Sequence, residues 1–144
     1  MLLIGTGNTL RGDDGAGPSL IALLEGKVMA SLLDAGEVPE SYFSRIQAVR
    51  ADTIVVIDAA DFGAAPGDLA VLEAEAIAEC GISTHQMPMN LFFHFIKGDR
   101  NIEVFAIGIQ PAQIGFGESM SPAVEASVQA LADLLQDLLP KRDS

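Results

Sequence analysis

The stretch Gly5-Thr-Gly-Asn-Thr-Leu-Arg-Gly-Asp-Asp-Gly-Ala-Gly17 constrains this chain more than any other. It follows the apolar run Met1 to Ile4 and precedes the apolar-periodic segment Leu20 to Leu24, an order that reads as strand, tight turn and helix. Asp13 and Asp14 fall side by side where the helix begins. A helix N-terminus carries partial positive charge and unpaired N–H groups, so carboxylates are stabilised there. One aspartate suffices as an N-cap. The pair therefore predicts that one caps while the other projects into a cleft and holds a cation. The rival is a dinucleotide fingerprint, but Gly5-x-Gly7-x-x-Leu10 lacks the third glycine. Two adjacent carboxylates would also repel a pyrophosphate placed on this helix start.

The rest of the chain extends the alternation. Val28 to Leu33 reads as a second strand ending in the turn Asp34-Ala-Gly36, and a helix is expected over Glu40 to Val49. Thr53-Ile-Val-Val-Ile57 is a continuous β-branched run, the mark of a strand buried on both faces, and ends at Asp58. Leu69 to Leu72 reads as a strand near an edge, followed by a short acidic helical turn over Glu73 to Glu79. A helix over Leu91 to Ile96, capped by Ser83 or Thr84 and ended by Gly98-Asp99, leads to a strand over Ile102 to Ile109. In the last helix Ser121 is the expected cap and Pro122 the first residue. Val124, Val128, Leu131, Leu135 and Leu138 form its apolar stripe. Strands and helices alternating in this way predict a three-layer αβα sandwich with a mainly parallel sheet, residues 1–144 forming a single domain.

Composition excludes several functions. A net charge of -12 disfavours nucleic acid and anionic membranes and favours a basic partner or a metal cation. No apolar run is long enough to span a bilayer, and no basic region precedes the first apolar stretch as in a signal peptide. The single cysteine, Cys80, rules out an internal disulfide, fits a reducing cytoplasm and reads as a small core residue.

In a parallel sheet, ligands bind outside the carboxyl ends of the strands. Asp14 follows the first strand, Asp58 ends the central one and His85 precedes a helix, so the three are expected to converge. Two carboxylates and an imidazole suit a borderline divalent metal such as nickel or zinc, with positions left open. Asp61 competes with Asp58 for this role and His94 with His85; His94 lies among Phe92, Phe93 and Phe95 and reads as a packing or surface residue. There is no G-x-S-x-G elbow, and Cys80 has nothing nearby to activate it.

With these segments in order, the chain resembles the nickel-iron hydrogenase maturation endopeptidases, in particular the type serving group 4 or formate-hydrogenlyase (hydrogenase 3) systems. The resemblance rests on Gly5 to Pro18, Val56-Ile-Asp58-Ala, Ser83-Thr-His85-Gln-Met-Pro-Met-Asn90, and Ile107-Gly-Ile-Gln-Pro111 with Gly115-Phe; Asp34-Ala-Gly36-Glu-Val-Pro-Glu adds a loop. It departs from many members at Ala35, where they have a second glycine. The resemblance implies a cytoplasmic, monomeric peptidase. It would remove a C-terminal peptide from the precursor of a [NiFe]-hydrogenase large subunit once nickel is installed. The family's metal positions fall on Asp14, Asp58 and His85, and Asp34 matches an acidic position that assists recognition or catalysis. Nickel is then recognised within the precursor with an aspartate activating water, zinc or cadmium substituting in vitro, or alternatively a bound metal polarises the scissile carbonyl and lowers the pKa of its water. Two readings compete: a non-catalytic nickel-checking chaperone on the same fold, and a nucleotide- or small-molecule-binding α/β domain.

Overall fold

The structure is a computed structural model describing residues 1–73, 76–77 and 87–141. Strands β1 (Leu2–Thr6), β2 (Ser31–Gly36), β3 (Thr53–Ala59), β4 (Leu69–Leu72) and β5 (Glu103–Ile109) form one sheet in the order β2-β1-β3-β5-β4. All neighbours are parallel except β4, which runs antiparallel to β5 at the edge. Helices α1 (Ala16–Leu24), α2 (Phe43–Ala48), α3 (Met89–Lys97) and α4 (Pro122–Leu138) cover the two faces. The sheet with helices on both faces is the αβα sandwich expected.

Side-chain alternation along the central strands divides the core in two. Leu2, Ile4, Ile54 and Val56 point to one face and pack with Ile46 of α2 and Phe92, Phe93 and Ile96 of α3. Leu3, Val55 and Ile57 point to the other, against Leu20, Ile21 and Leu24 of α1 and Val124, Val128 and Leu131 of α4. A strand apolar at every position is what two covered faces demand, and the run Ile54 to Ile57 is buried throughout.

Several expected boundaries move. The second strand starts at Ser31; Val28 instead forms an isolated antiparallel bridge with Pro140, pinning the far end of α4. The expected helix over Glu40 to Val49 splits into a 3-10 turn, Pro39–Tyr42, and α2. β3 runs one residue past Asp58, to Ala59. Helix α3 begins at Met89 with Pro88 as N-cap and ends at Gly98. The proposed caps Ser83 and Thr84 lie outside the described residues, as do Cys80 and His85. Leu138 is 65% exposed, because the last turn of α4 has left the sheet behind. Among the described residues no helix is long and apolar enough to cross a membrane.

The strand order reverses at β1: β2 lies on one side of it and β3 on the other. That topology leaves a crevice between the carboxyl ends of β1 and β3.

Candidate active site

Thr6 ends β1 and Asp58 lies near the end of β3. The register pairs Gly5 with Ile57, so Thr6 and Asp58 are the next residues across the ladder. Alternation places both side chains on the face carrying Ile4 and Val56. Asp58 is buried, as is Thr6, whose Oγ1 has no hydrogen-bond partner among the described residues.

The glycine-rich loop brings Asp14 to the same place. Gly7 has φ +131, a conformation that L side chains rarely adopt. A Cβ there would stand 1.9 Å from the Asp14 carbonyl oxygen and 3.3 Å from Asp58 Oδ1. The Asp14 main-chain carbonyl and the Asp58 carboxylate thus both crowd the side of Gly7 where a Cβ would stand. Gly17 permits the second close approach: its Cβ would lie 2.2 Å from the Ile57 carbonyl oxygen, so the first turn of α1 rests directly on the strand ends. Asp14 is 1% exposed, and its Oδ2 accepts the Asn8 amide at 2.8 Å.

The expectation that one of Asp13 and Asp14 caps the helix is overturned. Asp13 caps no helix: the residues form a 3-10 turn, Gly12–Gly15, and α1 starts from Gly15 with no side-chain cap. Instead Asp13 is fully buried and turned toward the distant chain. Its carboxylate accepts the amides of Ser121 (2.7 Å), Ala112 (2.8 Å) and Gln113 (3.0 Å), and the Ser121 hydroxyl at 2.8 Å. Burial opposes its ionisation, but the hydrogen bonds from Ser121, Ala112 and Gln113 outweigh it and hold the carboxyl below the ordinary aspartate range. The same interaction overturns the capping role of Ser121. It occupies the N-cap position of α4, with Pro122 next, yet its hydroxyl serves Asp13.

Asp34 lies at the end of β2, in register with Gly5, and is exposed. Its Oδ1 accepts the Gly36 amide at 3.1 Å, closing the turn on which the Gly7 amide also bonds to the Gly36 carbonyl. Asp34 therefore stands one strand farther out than the Asp14–Asp58 pair. His85 lies outside the described residues, and among those described no three histidine, cysteine, aspartate or glutamate side chains gather as a metal site. His94 is exposed on α3, with its ring edge-on to Phe95.

Two residues near the site escaped the sequence reading. Asn8 spans the loop, its Oδ1 accepting the Leu10 amide and its Nδ2 donating to Glu37 Oε1. Gln110 is buried after β5; its Oε1 accepts the amides of Phe62 and Ala64, and its Nε2 donates to Asp61 Oδ1. A polar amide closing an otherwise apolar strand was the available signal.

Comparison with known proteins decides the family. Residues 20–137 match the hydrogenase maturation protease family model. The chain is 33% identical to the hydrogenase 3 maturation protease of Escherichia coli K12, over 94% of this chain and 88% of that one. The chain belongs to the hydrogenase maturation proteases. The solution structure of the E. coli endopeptidase HycI superposes with a TM-score of 0.86 at 32% identity, over 94% of this chain and 88% of that one. The [NiFe] hydrogenase maturation protease HycI of Thermococcus kodakarensis KOD1 gives 0.87 at 30% identity, over 96% and 90%. This chain is thus a peptidase of hydrogenase maturation, which sets aside the nucleotide-binding and chaperone readings. The family-model match begins after the glycine-rich loop, so the case for Asp14 rests on its own geometry.

Proposed function

We propose that this protease removes a C-terminal peptide from the nickel-loaded precursor of a [NiFe]-hydrogenase large subunit. The observation that carries the reading is the meeting of the Asp14 loop and the Asp58 carboxylate over Gly7, in the crevice between β1 and β3. Asp14 and Asp58 are both buried there, the Asp14 main chain and the Asp58 carboxylate each lying next to Gly7, and a bound cation would offset the cost of burying their charges. Oxygen donors from Asp14 and Asp58, with the imidazole of His85, fit a borderline divalent ion and leave coordination positions open. Helix α3 begins four residues after His85 and packs on the face to which Asp58 points.

In this reading nickel belongs to the precursor and is part of the substrate. Asp14, Asp58 and His85 complete its coordination and so place the scissile peptide against the crevice, converting recognition into orientation. Water then adds to the scissile carbonyl carbon, a carboxylate takes the water proton, and that proton passes to the departing amine as the C–N bond breaks. Asp34, exposed beside the crevice, meets the arriving polypeptide and assists recognition or catalysis. Zinc or cadmium occupies the same ligands in vitro. The protein acts as a cytoplasmic monomer, consistent with its acidity and single cysteine.

The test crosses metal-stripped and metal-loaded protease with nickel-loaded and nickel-free precursor, read by intact mass. Stripped protease should cleave the loaded precursor and leave the empty one whole. Cleavage of the empty precursor by metal-loaded protease would instead make the metal a Lewis acid resident in the enzyme.

A further inference from the structure

Exposed apolar side chains are ordinary on any surface, and some of the described ones neighbour one another on a single helix, as Leu91 and Phe95 do on α3. Leu10 and Phe116 instead come from loops far apart in the sequence. Leu10 is 60% exposed and Phe116 74% exposed, and their backbones are joined where the Gly117 amide donates to the Leu10 carbonyl at 2.8 Å. Phe116 occupies the tip of a closed turn: the Glu118 amide returns to the Gly115 carbonyl at 3.1 Å, and Gly117 has φ +83. A type II turn requires this conformation at its third position. The Glu118 carboxylate also accepts the Gly115 amide, and Gln113 Nε2 donates to the Ser119 carbonyl. The backbone that carries the exposed ring is therefore braced, and little main-chain entropy remains to be lost on docking.

This turn is continuous with the active site. The Gly12 amide donates to the Glu118 carbonyl, and the Asp14 amide to the Arg11 carbonyl. Leu10 precedes Asp14 by four residues on the same loop, and Asp13 clamps that loop to residues 112, 113 and 121. We propose that Leu10 and Phe116 form the apolar rim of the substrate crevice and take an apolar side chain of the precursor polypeptide close to its scissile bond. This rests on the substrate assigned above. A large-subunit precursor is the occupant favoured over a second copy of this chain because the patch shares its loop with Asp14.

The rim is tested with Phe116→Ser, Leu10→Ser and the double variant, with Leu134→Ser as control, since Leu134 is 52% exposed on α4. Cleavage kinetics are measured on nickel-loaded precursor, wild-type and with the apolar residues flanking its scissile bond changed to serine. The double variant should raise KM by roughly tenfold or more, the effect of truncating an anchoring aromatic, with kcat within about twofold of wild type. The control should leave both unchanged. The loss should shrink on the altered precursor, because interacting positions are not additive. Unchanged KM in the double variant, or full additivity on the altered precursor, overturns the rim. So does loss of a dimer by sedimentation with KM intact, which would give the patch to a second copy. If wild-type protease leaves the loaded precursor whole, the substrate assignment itself falls and takes the rim with it.

Discussion

A pair of aspartates stands near the carboxyl end of each of two neighbouring strands, β1 and β3, and one of each pair braces the following loop. After β1, Asp14 lies beside Gly7 while Asp13 braces the loop. Asp58 lies near the end of β3, also beside Gly7, while Asp61 braces the loop that follows, its Oδ1 accepting the Gly63 amide and Gln110 Nε2. Both bracing carboxyls are held below the ordinary aspartate range. Asp13 is held there by main-chain amides against the opposing effect of burial, and Asp61 by Gln110 and then the Gly63 amide. The difference is solvent. Asp13 is fully buried and Asp61 exposed, so only the first brace has no water to replace it. The loop after β1 is held by the buried Asp13 carboxylate, whereas the loop after β3 is held by the exposed Asp61 together with the buried Gln110.

The largest expected contrast is in the glycines. Gly7→Ala places a Cβ 1.9 Å from the Asp14 carbonyl at φ +131, whereas Gly63→Ala meets nothing within 4 Å at φ +79. Gly7→Ala should cost more than about 4 kcal/mol or prevent folding. Gly63→Ala should cost about 1 to 2 kcal/mol of left-handed strain. Denaturant unfolding of the two variants measures both, and similar midpoints would erase the contrast between the loops.

The next effect belongs to Asp13. Asp13→Ala strands the amides of residues 112, 113 and 121 in the interior and should destabilise by about 3 to 5 kcal/mol. Asp61→Asn should leave the unfolding midpoint within experimental scatter, because water replaces what it loses.

A smaller effect sharpens the same point through pH. The folded pKa of Asp13 is depressed. Its contribution is therefore fully present above the unfolded aspartate value of about 3.9 and is lost as pH falls through the lower folded value. The stability gap between wild type and Asp13→Ala should be widest near neutrality and narrow below about pH 4. A gap independent of pH would mean that Asp13 braces the loop without its charge.

The sequence was most readable where one principle acted alone. The β-branched run Thr53 to Ile57 could only be a doubly covered strand, and Val124, Val128, Leu131 and Leu135 are all buried on α4 as their spacing required. The crevice position of Asp58 followed from the strand it closes. Asp13 was misread because its partners lie about a hundred residues away, at Ala112, Gln113 and Ser121. Capping preferences describe an isolated helix end, and here a long-range carboxylate–amide cluster overrides them for Asp13 and Ser121 together. The direction of β4 was likewise unreadable, since a four-residue strand carries no sign of its partner's polarity.

The central claim is that Asp58, not its neighbour Asp61, acts in the crevice. It is tested most directly by processing of nickel-loaded precursor by Asp58→Asn and Asp61→Asn, each first shown to be folded by its unfolding transition. Asparagine keeps the shape of the side chain but removes the charge that holds a cation. The account predicts that Asp58→Asn slows cleavage by about a hundredfold or more, the scale of losing a positioned catalytic group, while Asp61→Asn cleaves at nearly the wild-type rate. Full activity in Asp58→Asn with loss in Asp61→Asn would contradict it.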